Sequence, residues 1–342
     1  MKKANNKVGW AKLRDEKLLD VRICDLGVTI DGSEVEDWVD ELGANLADRG
    51  MAWRPHVWLS NEWFSSDGIP GFAIPFYLAH PRLKELERAQ MLEVEGGTHD
   101  WGMRLMRHEC GHAIDNAYWM NRKRRYRQLF GNYGDPYPDT YRPKPYSRQF
   151  VVHLDMWYAQ AHPAEDFAET FAVWLNPNSY WQSTYEGWGA MRKLKWVNEV
   201  MGKLAQEVAP VRNHRVKRGL HTLRGTLREY YAKKRAYYYR DHPQFYDRDL
   251  RRIFSDAPEY SRNMDAGTFV ERMSGETRHL VSRWTGESQL TIDRALADMI
   301  RRVRELKLRL RKGMDETKVD VTMMLAVQTM NWLNDGKHRV VV

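Results

Sequence analysis

His108-Glu109-Cys110-Gly111-His112 places two histidines and a glutamate in an H-E-x-x-H spacing. At about 3.6 residues per helical turn, positions i and i+4 share one face. Both imidazoles can then reach one zinc ion, while Glu109 projects beside them toward a metal-bound water. The alternative is an amphipathic helix whose histidines are ordinary polar or core residues. Gly111 bears on that choice: glycine costs ~1 kcal/mol in a helix interior, so its presence fits a close backbone approach better than plain scaffolding. A mononuclear catalytic zinc also needs a third protein ligand and an open position for water. Downstream, His162-Pro163-Ala164-Glu165-Asp166-Phe167-Ala168-Glu169 sets Glu165 and Glu169 one turn apart. One of the two carboxylates can ligate zinc, and the other can accept the free ring N–H of a ligating histidine. Complementing the helix dipole is the competing explanation for acidic residues there.

Other residues near these motifs have weaker claims. Asp115, three residues after His112, either supports a ligand or serves as a surface or capping residue. His162 precedes Pro163 and fits a helix N-cap, with a substrate-side donor as the alternative. Cys110 is expected to point away from the metal face as a small buried side chain. His99 and His153 have no spacing argument. Tyr133, Tyr137, Tyr141, Tyr146 and Tyr158 either line a groove or pack a loop.

The segments HECGHAID, YRQLFG and WYAQAHPAEDFAETFAVWL resemble the bacterial zinc-binding metallopeptidases of the gluzincin-like branch, over roughly residues 50–200. The E-x-x-A-E core from Glu165 to Glu169 also resembles the catalytic domain of anthrax lethal factor and its relatives. The resemblance implies Zn2+ as cofactor, with His108, His112 and Glu165 as ligands and Glu169 supporting one of the histidines. It implies an oxyanion role for Tyr158, seven residues before the ligating Glu. It also implies a zincin-like α+β fold, a small mixed sheet plus active-site helices, acting on a peptide or protein substrate. The N-terminal Cys-rich ribbon of many family members is lacking, and the C-terminal region is an addition about which the resemblance says little.

The elements that must position these residues are legible in outline. Apolar positions 35, 38, 39, 42 and 46 predict a helix over 33–49, capped by Ser33 and stopped at Gly50. Residues 55–60 and 71–78 read as strands, the second an edge or bulged strand because Pro75 cannot donate to a ladder. As an edge, that strand is a place where an extended peptide could add. Helices are expected over about 81–93, over 98–127 as the longest of the first half, and from Pro163 to about Leu175. Residues 131–148 should be an irregular loop, and 149–160 fit a strand or a helix equally. Beyond about 210 the pattern is mainly helical, clearest over 289–312, where Leu296, Ile300, Val303, Leu306 and Leu310 form a stripe.

Composition bounds the rest. The 342 residues include 14 Trp, 17 Tyr and 10 Phe, which argues against disorder throughout, and only two cysteines, which excludes a disulfide framework. The basic start lacks an apolar segment of signal-peptide type, and no apolar run reaches membrane-spanning length, so a cytoplasmic protein without a membrane association is expected. Residues 211–342 hold 28 Lys and Arg against 17 Asp and Glu, whereas residues 1–210 hold 26 against 29. This asymmetry divides the chain into a metallopeptidase domain at 1–210 and a basic, mainly α-helical region at 211–342. It permits an acidic partner or nucleic acid for the second part.

The expected activity is zinc-dependent peptide hydrolysis with Glu109 as general base. The alternative is a nucleic-acid-binding or toxin-like protein with a non-catalytic zinc. An intact Glu109 argues against that alternative, because a structural site has no need of it.

Overall fold

Ser33 precedes helix α1, Glu34–Asp48, in which Val35, Trp38, Leu42 and Leu46 form the buried face while Glu34, Glu36 and Asp37 complement the positive end of the dipole. The computed structural model describes residues 9–138, 140–238, 247–334 and 340–341. Two compact units divide the chain: Met1–Gln90 with Val94–Tyr230 and Val340–Val342, and Met91–Glu93 with Tyr231–Arg339. The architecture is mostly helical with a small mixed sheet, an α+β arrangement.

In the first unit, β1 (His56–Ser60), β2 (Phe64–Ser65) and β3 (Gly71–Pro75) form a sheet of order β1-β3-β2. β1 runs parallel to β3 and β2 antiparallel to it. The expectation of an edge strand at 71–78 is therefore corrected: β3 is central and buried at every position. Pro75 is tolerated because β2 pairs only with Phe72 and Ala73, so no β2 partner reaches the missing N–H. The chain turns into a 3-10 segment at Phe76–Ala79 instead of continuing as strand. Lying between β1 and β2, β3 is not a free edge to which an extended peptide could add.

Helix α2 (Pro81–Met91) leads to α3, His99–Tyr118, whose N-cap Thr98 accepts the Trp101 N–H and whose first turn carries Asp100. The long helix ends nine residues earlier than expected. Trp119 adopts a left-handed conformation (φ 50°), and a separate short helix then forms at Arg124–Phe130. Residues 149–160 are neither strand nor regular helix. They run irregularly into a 3-10 segment at Asp155–Gln160 that contains left-handed Met156 and Trp157.

α4, Pro163–Leu175, begins as expected, with Pro163 in the first turn, and is buried from Ala164 to Leu175. It lies against α3, and α5 (Met191–Leu204) packs on α4 through Lys193, whose ammonium is 2.6 Å from Asp166 Oδ2. Thr140–Tyr141 (β4) pairs antiparallel with Val340–Val341.

In the second unit, α6 (Asp247–Ile253), α7 (Ala266–Thr285), α8 (Gln289–Glu305) and α9 (Met314–Asn334) surround a core that includes Phe254, Val270, Leu296, Met299, Val303 and Leu325. A two-stranded pair, β5 (Phe254–Ser255) with β6 (Arg309–Leu310), closes it. The stripe expected over 289–312 is therefore interrupted: left-handed Lys307 (φ 53°) ends the helical path, and Leu310 reaches the same core from β6. No described helix is long and apolar enough to cross a membrane.

Candidate metal centre

The site is built where α3 and α4 cross. A Cβ on Gly111 would lie 2.7 Å from the Ala168 Cα and 2.9 Å from its carbonyl oxygen, so only glycine lets the two backbones come this close. Flanking that contact, three residues before it and one after it on each helix, His108 and His112 of α3 face Glu165 and Glu169 of α4.

The three donor atoms form a tight triangle. His108 Nε2 lies 3.0 Å from Glu165 Oε2 and 3.1 Å from His112 Nε2, and His112 Nε2 lies 3.3 Å from the same Glu165 oxygen. Ligands bound tetrahedrally at zinc distances are separated by about 3.3 Å, so these edges suit one face of such a tetrahedron. Among the described residues, these three are the group of His, Cys, Asp and Glu side chains that could hold a metal ion. The donor chemistry, two imidazoles and one carboxylate, suits zinc.

Neighbouring groups fix this geometry. His108 Nδ1 is 2.7 Å from Glu169 Oε1, and the other Glu169 oxygen accepts the Leu154 N–H at 2.8 Å. Burial disfavours charge on Glu169, but the hydrogen bond from His108 and the nearby His153 hold its carboxyl below the ordinary range. Glu165 behaves alike: burial opposes its charge, and attraction from His112 with hydrogen bonds from both imidazoles outweighs that and holds the group well below the usual value. The imidazoles are raised in return, against burial, by Glu165 on both rings and by Glu169 on His108.

Glu109 differs from the other carboxylates. It is buried, its Oε2 has no hydrogen-bond partner, and desolvation raises its pKa. An unsatisfied buried carboxylate oxygen is costly for stability alone. It borders a cavity of about 450 Å³ that is also lined by His108, His112, Glu165, Trp63 and Tyr158.

The remaining candidates are distributed as follows. The Tyr158 ring is tilted against His108 with centroids 5.6 Å apart, and burial pushes its hydroxyl pKa up. Asp115 borders the same cavity, and its Oδ1 accepts the Asn121 N–H at 2.7 Å, tying down the turn that follows α3; burial raises it to about 6. His162 is the N-cap of α4: its Nδ1 accepts the Ala164 N–H, and its Nε2 donates to the Asp135 carbonyl at 3.1 Å. Cys110 is fully buried, and burial raises its thiol pKa. His99, the first residue of α3, pairs instead with Glu41 of α1 at 2.6 Å.

Two groups that the sequence left without a role also belong here. His153 is buried and donates from Nε2 to the Arg104 carbonyl at 2.9 Å, pinning the segment that presents the Leu154 N–H to Glu169. The Tyr137 hydroxyl donates to Glu165 Oε1. The tyrosine-rich composition of 131–148 is the signal that could have pointed to Tyr137, although composition alone does not say which ring faces inward.

Two crossed helices that present a His-His-Glu group, with His108 and Glu165 buried and His112 half-buried, beside an unpartnered glutamate oxygen define a candidate metal-binding site. Residues 85–217, rather less than half of the chain, match the model of the family described as "Putative zinc-binding metallo-peptidase". That span contains His108, Glu109, His112, Tyr158, Glu165 and Glu169, while Trp63 of the cavity wall lies outside it. No curated protein and no solved structure matches the chain.

Proposed function

We propose that the first unit is a zinc-dependent metallopeptidase that hydrolyses peptide or protein substrates. The observation that carries this reading is the triangle of His108, His112 and Glu165 donors at 3.0 to 3.3 Å beside the unpartnered Glu109 Oε2, on one cavity. The family match over 85–217 supports the peptidase class.

His108 Nε2, His112 Nε2 and Glu165 Oε2 would hold the ion. When bound, zinc supplies Lewis-acid polarisation and acidifies a water. With an ion in place, Glu169 would keep the His108 proton on Nδ1 and so leave the Nε2 lone pair for the metal. Glu109 is the general base, taking a proton at Oε2 and passing it to the leaving amine. Its raised pKa makes it a better base than an exposed glutamate. Tyr158, adjacent to His108 on the cavity wall, donates its hydroxyl to the oxygen on which negative charge develops, the role the lethal-factor resemblance implies.

The test is zinc analysis of the purified protein together with cleavage of an unbiased peptide library, run in parallel on Glu109→Gln. The expected result is zinc in both proteins and cleavage only in the native one. Zinc-loaded native protein that cleaves nothing in the library would remove the peptidase reading.

A further inference from the structure

We propose that Tyr137 is a positioning residue for Glu165, occupying one carboxylate oxygen so that the other alone serves as ligand. The inference rests on the metal-site reading above and adds to it a residue outside both motifs.

The two oxygens of Glu165 have different surroundings. Oε2 faces the imidazoles at 3.0 and 3.3 Å, whereas Oε1 accepts the Tyr137 hydroxyl. A carboxylate near a cation is free to rotate until both oxygens bind, unless a donor holds one of them. Tyr137 is that donor. Tyr137 is 48% exposed, so burial does not account for its placement.

What holds the ring is His162, stacked on it with centroids 4.3 Å apart and planes 30° from parallel. His162 is itself fixed at both ring nitrogens, by the Ala164 N–H and by the Asp135 carbonyl. The loop carrying Tyr137 is thus tied to the N-terminus of α4, the turn that also bears Glu165. A separate tie, from the Tyr133 hydroxyl to Asp67 Oδ1 at 2.6 Å, anchors the same loop without touching Glu165.

The experiment is a zinc titration of the metal-free full-length protein against a chromophoric chelator, with the visible spectrum of the cobalt-substituted protein as a second readout. Three proteins are compared: native, Tyr137→Phe and Tyr133→Phe. Tyr137→Phe keeps the stacked ring and removes only the donor. It is expected to bind zinc about 10–100-fold more weakly, the range for losing a partner of a metal-ligating group. Its cobalt bands should weaken as the freed Oε1 joins the ion and expands the coordination. Tyr133→Phe should retain native affinity and spectrum. Native affinity and spectrum in Tyr137→Phe would overturn the proposal, as would an equal loss in Tyr133→Phe, which would assign the effect to loop anchoring. A native protein that binds no zinc would instead overturn the metal-site reading itself.

Discussion

Gly111 on α3 and Ala168 on α4 meet backbone to backbone, with room for hydrogen but not for a methyl group. The contact decides how far apart the histidine pair and the glutamate pair stand. Gly111→Ala should gain up to ~1 kcal/mol in helix propensity yet be destabilising on balance, because the new Cβ meets backbone that has no rotamer to yield. The expected outcome is a lowered melting temperature together with reduced zinc content. A stabilised variant with full zinc would show that the helices separate freely.

Removing each carboxylate of α4 should produce distinct defects. Glu165→Ala is expected to lose most of the zinc, because three protein ligands are the working minimum. Glu169→Gln should bind zinc about 10–100-fold more weakly, through loss of the anionic acceptor for His108 Nδ1. Elemental analysis and chelator competition read both. Full occupancy in Glu165→Ala with metal loss in Glu169→Ala would exchange the two roles.

Glu109→Gln and Tyr158→Phe should both keep the metal and lose rate. Glu109→Gln removes the base and should lower kcat by about 10²–10⁴. Tyr158→Phe removes one hydroxyl, a loss of about 10²–10³ in kcat with a smaller effect on KM. Steady-state kinetics on a cleaved peptide provides the measurement. An unchanged kcat in Tyr158→Phe would pass the oxyanion role to another donor on the cavity, such as Trp63, whose indole N–H has no hydrogen-bond partner.

Stability should fall as the medium becomes acidic, in a window set by two histidines away from the site. Burial lowers the pKa of His56, with help from the neighbouring His214, and burial lowers that of His80. The folded chain therefore holds both rings neutral, while the unfolded chain takes up protons near the ordinary value of about 6.5. Their stabilisation is complete above that value and is lost as pH falls through it toward the folded-state pKa. Melting temperatures measured between about pH 7.5 and 5.5 should decline, and His56→Gln should flatten the slope. An unaltered slope would exclude His56 as a contributor.

The second unit has a core of its own, so a fragment of residues 231–334 is expected to unfold cooperatively. In that fragment, Leu296→Ala should cost about 2–5 kcal/mol, because Leu296 is 1% exposed and belongs to the buried cluster. Met323→Ala, at a position 60% exposed, should stay within about 0.5 kcal/mol. Denaturant titration distinguishes them. Equal costs would contradict the packing.

Local rules carried the sequence a long way. The H-E-x-x-H pair, the E-x-x-A-E pair, the helix starting at Pro163 and the meaning of Gly111 were readable because helical period, capping and glycine cost depend on residues a turn apart. Local rules failed where the chain leaves regular conformation. Left-handed Trp119 and Lys307 broke segments whose periodicity suggested continuity, and left-handed Met156 and Trp157 lie in the segment that fitted strand and helix equally. Pro75 looked like an edge residue because the sequence does not reveal how far a neighbouring strand extends.

Tertiary structure alone decided which partners meet. The approach of α4 to α3, the placement of Glu169 on His108, the Leu154 N–H on Glu169 and the Tyr137 hydroxyl on Glu165 join residues 15 to 61 positions apart. The reason is physical: a hydrogen bond across such a separation is set by the packing of whole helices and loops. No periodicity in the intervening chain encodes it.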